Sequence, residues 1–181
     1  MEKREMRMLE DITKEEITIL LNKCWMTHDG MWFFSCLQEY GIEAANKLNK
    51  AAIEYLAPIE VGRLKKVFGV TAESLGNLEE FRAFFNRVSK LVIPDFMGGE
   101  FTINEDFTLD MKMRPDECFA YKGIKRLGVI DRYECGVFFR IECWMRNLGL
   151  TFESDNNAQH CLFFHNGSCR KQLRFTNYKN C

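Results

Sequence analysis

Eight cysteines are the residues of this 181-residue chain with the widest chemical repertoire, and six of them lie after residue 117. Cys118, Cys135, Cys143, Cys161, Cys169 and Cys181 are spaced C-x16-C-x7-C-x17-C-x7-C-x11-C. None of these intervals is the tight C-x2-C of a zinc ribbon or a thioredoxin-like redox site, so a metal or redox role requires the fold to gather distant thiols. Cys143 lies between Ile141 and Trp144 in a helical pattern and reads as a small buried hydrophobe. Cys118 and Cys135 each fall close to an expected helix N-terminus, where backbone N–H groups favour a thiolate. A thiolate is a nucleophile and also a soft metal ligand, which gives two chemistries. In the first, Cys135, or failing it Cys118, attacks an electrophilic carbon. In the second, Cys118, Cys135 and Cys169, with His165 or Cys161, hold zinc or a cluster. The first needs no cofactor.

A second constellation lies in the N-terminal part. Cys24, His28, Trp32 and Cys36 follow one another at i,i+4 steps, with Trp25 and Asp29 alongside. A carboxylate beside two tryptophans is partly desolvated, which raises its pKa and suits it to acid–base work. Asp29 or His28 is therefore the expected proton-transfer partner, and Trp25 and Trp32 are expected ligand contacts. Arg174, in the basic cluster Arg170/Lys171/Arg174, is the expected anchor for a carboxylate or phosphate. The structural alternative is that the stripe is core and the basic cluster a solvated face. Walker, G-x-G-x-x-G, G-x-S-x-G, H-E-x-x-H and EF-hand motifs are all absent.

The elements that position these groups follow from periodicity. Thr13 and Glu16 form a capping box before a helix from Ile17 to Tyr40, which Gly41 ends. Helices are predicted over 42–56 and 59–68, separated by Pro58, and over 78–91 with Phe81, Phe84, Phe85 and Val88 as the apolar stripe. After Pro94 the texture changes. A hairpin is predicted with Leu109, Met111 and Met113 alternating against polar neighbours, then helices over 115–127 and 132–148. A second hairpin closes the chain, with strands over 150–153, 161–164 and 172–176. The fold class is α+β: an N-terminal helical bundle over 1–93, then a cysteine-rich hairpin–helix–helix–hairpin module over 94–181 with a small antiparallel sheet, the two forming one compact unit.

Composition sets the wider limits. Lys and Arg number 25 and Asp and Glu 26, a near-balance that argues against a broad basic surface for nucleic acid. The charged N-terminus is not a secretory signal, and the apolar runs are too short to span a bilayer, so a cytoplasmic protein with free thiols is expected. The expected partner is a small molecule, with a homodimer as a further option.

The C-terminal half resembles the L-2-amino-thiazoline-4-carboxylic acid hydrolase-like family. The resemblance is carried by Glu117-Cys118, by Tyr133-Glu134-Cys135-Gly136, and by Asn166-Gly167-Ser168-Cys169 followed by Leu173-Arg174-Phe175. It implies a helical N-terminal part, a functional set of Cys118, Cys135 and Cys169, and cysteine-dependent hydrolysis of a C=N or amide-like bond in an amino-acid-like substrate. More distantly, the order of elements is similar to small-ligand sensor domains of the 4-vinyl reductase type.

Overall fold

The computed structural model describes residues 6–71, 75, 77–114, 116–157 and 159–176. Helix α1 runs from Lys14 to Phe68. Its capping box forms as the sequence predicts: Glu16 N–H donates to Thr13 Oγ1 at 3.2 Å and Thr13 N–H to Glu16 Oε2 at 2.8 Å. Gly41 ends the first arm as expected: its backbone is non-helical, at φ 80° and ψ 176°, and a second helical arm follows across the kink. This backbone region is open essentially to glycine alone. Gly41→Ala is therefore expected to destabilise the protein by about 1–3 kcal/mol, measured by denaturant unfolding.

Pro58, expected to separate two helices, lies inside the second arm of α1. Proline removes one helical hydrogen bond, but Ala57, Val61 and Leu64 are buried in the main core around it. Tertiary packing overrides the local breaker. Helix α2, Leu78–Val92, is capped by Asn77, whose Oδ1 accepts from Glu79 N–H at 2.8 Å, and it buries Phe81, Phe84, Phe85 and Val88 as its stripe requires.

Strands β1 (Gly99–Ile103) and β2 (Thr108–Met113) form the predicted antiparallel hairpin, with Ile103 opposite Leu109 and Phe101 opposite Met111. Helices α3 (Phe119–Arg126) and α4 (Gly136–Asn147) follow. Next come β3 (Phe152–Ser154), a short α5 (Leu162–Asn166) and β4 (Arg170–Phe175). The sheet is antiparallel throughout, in the order β1-β2-β4-β3. The architecture is α+β. One sheet face buries Leu109, Met111, Met113, Leu173 and Phe175 against α1, α2 and α4, while Asp110 and Arg174 alternate on the other.

Three sequence expectations are corrected. Residues 162–164 belong to α5, with Cys161 as its N-cap, rather than to a strand, so β3 and β4 pair across an inserted helix. Helix α4 begins at Gly136 rather than near Tyr133, because the preceding segment is tied to α1. Asn46 Nδ2 donates to Arg132 O at 2.8 Å, and Glu134 N–H donates to Asn46 Oδ1 at 3.1 Å. The apolar stripe of the first arm of α1 is not uniformly core. Phe33 and Cys36 are buried, whereas Cys24 is exposed and Trp32 is 62% exposed.

Candidate functional site

Two adjoining cavities lie between the helices and the sheet. The larger, about 120 Å3, is walled by both arms of α1, the end of α2, β1, β2, α3 and α4. Most of its lining is apolar, including Ile53, Ile93, Phe101 and Met113; Trp25, Asp29, Asn49, Tyr133, Arg140 and Trp144 add polar atoms and tryptophan rings. Gly136 permits this closeness of α1 and α4: a Cβ there would lie 2.9 Å from Asn49 Nδ2 and 3.1 Å from Ile53 Cδ1.

Arg140 is the electrostatic centre of the wall. Its guanidinium grips Glu60 of α1 with two hydrogen bonds, Nε to Oε2 at 3.1 Å and Nη2 to Oε1. Trp144 Nε1 also donates to Glu60 Oε2, at 2.9 Å. The guanidinium lies 4.0 Å from the centre of the Trp25 ring and 5.2 Å from that of Trp144, a cation–π sandwich. Burial lowers the Arg140 pKa and Glu60 opposes that shift. Arg140 is thus a cation whose charge is already met.

Asp29 differs. The residue is exposed overall, yet its position at the cavity wall partly desolvates the carboxyl and raises its pKa, with Arg140 and His28 pulling the other way. No hydrogen bond or salt bridge holds it among the described residues. His28 itself is exposed and does not line the cavity, so its influence on Asp29 is through space. Trp25 lines the cavity; Trp32 does not, and Arg174 lies on the solvent face of β4.

The smaller cavity, about 10 Å3, gathers Cys118, Cys135, Cys161 and Cys169, with Met113, Ala120, Tyr133 and Val137 shared with the larger one. Cys118 and Cys135 are the N-caps of α3 and α4, as the sequence suggests. Backbone N–H groups do favour their thiolates, but burial outweighs them: the Cys135 thiol is pushed up to about 11, and those of Cys118 and Cys169 are also raised. This corrects the expectation of thiol pKa values lowered at helix N-termini. Asp29 lines the larger cavity and Cys135 the smaller one.

Tyr133 forms part of the partition, buried edge-on against Phe33, its hydroxyl accepting from Gly136 N–H at 3.1 Å. His165 stays outside the thiol group: its Nε2 is 3.2 Å from Asp131 O and its ring packs on His160. Among the described residues no three His, Cys, Asp or Glu side chains form a ready site for a metal ion. Cys181 lies outside the described residues.

Sequence reasoning missed Arg140, Glu60, Asn49 and Tyr133. The available signal was a charged residue inside an apolar stripe, Arg140 between Val137, Ile141 and Trp144.

Residues 9–92 match a family of unknown function (DUF6125). That stretch contains α1 and α2, and with them Trp25, Asp29, Asn49 and Glu60. No curated protein and no solved structure matches the chain. No helix among the described residues is long and apolar enough to cross a membrane.

Proposed function

We propose that this chain binds a small, ring-sized molecule in the larger cavity, with its hydrogen-bond donor or cationic group on Asp29. The observation that carries this reading is a carboxylate on an exposed residue, partly desolvated and without a direct partner, at the wall of an apolar cavity. Such a group lowers stability unless a ligand answers it. An engineered apolar cavity of about 150 Å3 takes up benzene, so about 120 Å3 suits a ligand built on one small ring. Arg140 is already neutralised by Glu60. An amino-acid-like ligand would therefore turn its ammonium, rather than its carboxylate, into the site. Trp25 and Trp144 supply flat apolar surface. The supporting observations concern binding in the larger cavity, whereas Cys135 lines the smaller one.

The stability signature of Asp29 gives the first test. Its pKa is raised in the folded state, so the penalty is absent below the unfolded value of about 3.9. It grows as pH rises and is complete above the folded value. Asp29→Asn is expected to be more stable than the wild type at neutral pH, with the gap closing as pH falls through the raised pKa. Unfolding curves for the two proteins across that range measure it, and a gap independent of pH removes the argument.

The second test is a thermal-shift screen of single-ring amines and amidines against matched carboxylates. The cations are expected to stabilise the wild type and not Asp29→Asn. Stabilisation by the carboxylates alone would overturn the proposal.

A further inference from the structure

We propose that Cys118, Cys135, Cys161 and Cys169 are the four protein ligands of a metal centre of the all-thiolate class, an iron–sulfur cluster or a zinc ion. The fold brings them from four separate places: the turns before α3, α4 and α5, and the turn into β4. All four line one small, otherwise apolar cavity. Every one of the six pairs is close enough for a charge on one sulfur to be felt at the other. All four are free thiols.

Four cysteines from four segments border one small cavity, and a set of four thiolates is what zinc and iron–sulfur clusters use. Burial disfavours the free thiolates, a cost that a bound cation would offset, and backbone donors work in the same direction. Tyr121 N–H donates to Cys118 Sγ at 3.5 Å, and the N–H groups of Val137 and Phe138 favour a thiolate at Cys135 without forming a cap hydrogen bond to it. N–H donors to ligating sulfur are a usual means of tuning such centres. The sulfurs surround a space rather than meet at a point. A cluster would be held at its corners, and a zinc ion would draw the thiols inward. Each thiol releases its proton to solvent as its metal–sulfur bond forms, and no cysteine sulfur changes oxidation state. This centre is independent of the ligand reading, because the Asp29 tests involve no thiol.

The full chain, purified anaerobically under reducing conditions, is assayed for iron, acid-labile sulfide and zinc, and any metal-free protein is challenged with zinc or with iron plus sulfide. Iron and sulfide in equal amounts, with visible thiolate-to-iron charge-transfer absorption, identify a cluster. About one zinc per chain identifies a single ion. Cys161→Ser and Cys169→Ser should each lose most of the metal, whereas Cys143→Ser, buried elsewhere in the core, should keep it. Should the serine variants fail to fold, thiol labelling of native wild type decides: the four cysteines should react only after chelation, with Cys36 and Cys143 unaffected by it. Protein that takes up neither metal in reconstitution, or labelling of the four that chelation does not change, overturns the proposal.

Discussion

Arg140→Ala is expected to destabilise the fold by about 3–5 kcal/mol, the range for breaking a buried ion pair from one side. The side chains of Arg140 and Glu60 are only 18% and 17% exposed. Without the guanidinium, Glu60 keeps one neutral donor, Trp144 Nε1, and its charge stays away from water. The same truncation removes the cation between Trp25 and Trp144, a contact of about 0.5–2 kcal/mol, and the positive charge that offsets the desolvation of Asp29. Denaturant unfolding measures the loss directly; in melting temperature, each kcal/mol corresponds to about 2–4 °C for a domain of this size.

The double variant Glu60→Leu/Arg140→Met separates charge from packing. Replacing both partners leaves no buried ion, so it should recover most of the stability that Arg140→Ala loses. Arg140→Lys should fall between, since an ammonium cannot make the two-pronged grip or stack as flatly. A change within about 0.5 kcal/mol for Arg140→Ala, the range of an ordinary surface substitution, would show that the cluster is solvated and the cavity wall open.

This pair also marks where the sequence stops being readable. The Thr13–Glu16 box, the α2 stripe and the alternation of Leu109, Met111 and Met113 are local signals, and each element forms where its signal lies. The α+β class follows from their order. The first arm of α1 carries apolar residues around much of its circumference, and only the tertiary partner decides which line is buried. Phe33 and Cys36 meet Tyr133 and Ile130, while Trp32 faces solvent. Sequence could place Trp25 and Trp32 on one helix but could not tell the cavity wall from the surface.

The site divides in the same way. Asp29 and Trp25 were legible because their neighbours in the chain implied desolvation. Glu60 and Arg140 are 80 positions apart, and a charged residue alone reads as solvated. The thiol group was legible only as a list. Spacings of seven and sixteen residues give no geometry, and the grouping depends on the turns before α3, α4 and α5 and the turn into β4 bordering one small cavity.

Lys171 is the sharpest case of a charge misread as surface, and it supports the second large prediction. It sits in the cluster Arg170/Lys171/Arg174, but strand alternation sends it to the core face between Leu173 and Cys169, and it is 8% exposed. There it meets Glu142 of α4, 9% exposed, which is also bound by Arg146 Nη2 at 3.3 Å. The two halves of this contact are not equivalent. Glu142→Leu removes the carboxylate that pairs with Lys171 and strands an ammonium inside the sheet–helix interface, with an expected loss of about 3–5 kcal/mol. Lys171→Met leaves Glu142 with Arg146, whose side chain is 51% exposed and can follow it toward solvent. Its cost should be well below that of Glu142→Leu, and Glu142→Leu/Lys171→Met should lie nearer the wild type than Glu142→Leu alone. Urea unfolding of the three variants tests the ordering. Equal losses for the two single changes would mean that Arg146 contributes nothing to holding Glu142, and that Glu142 and Lys171 act as an isolated pair.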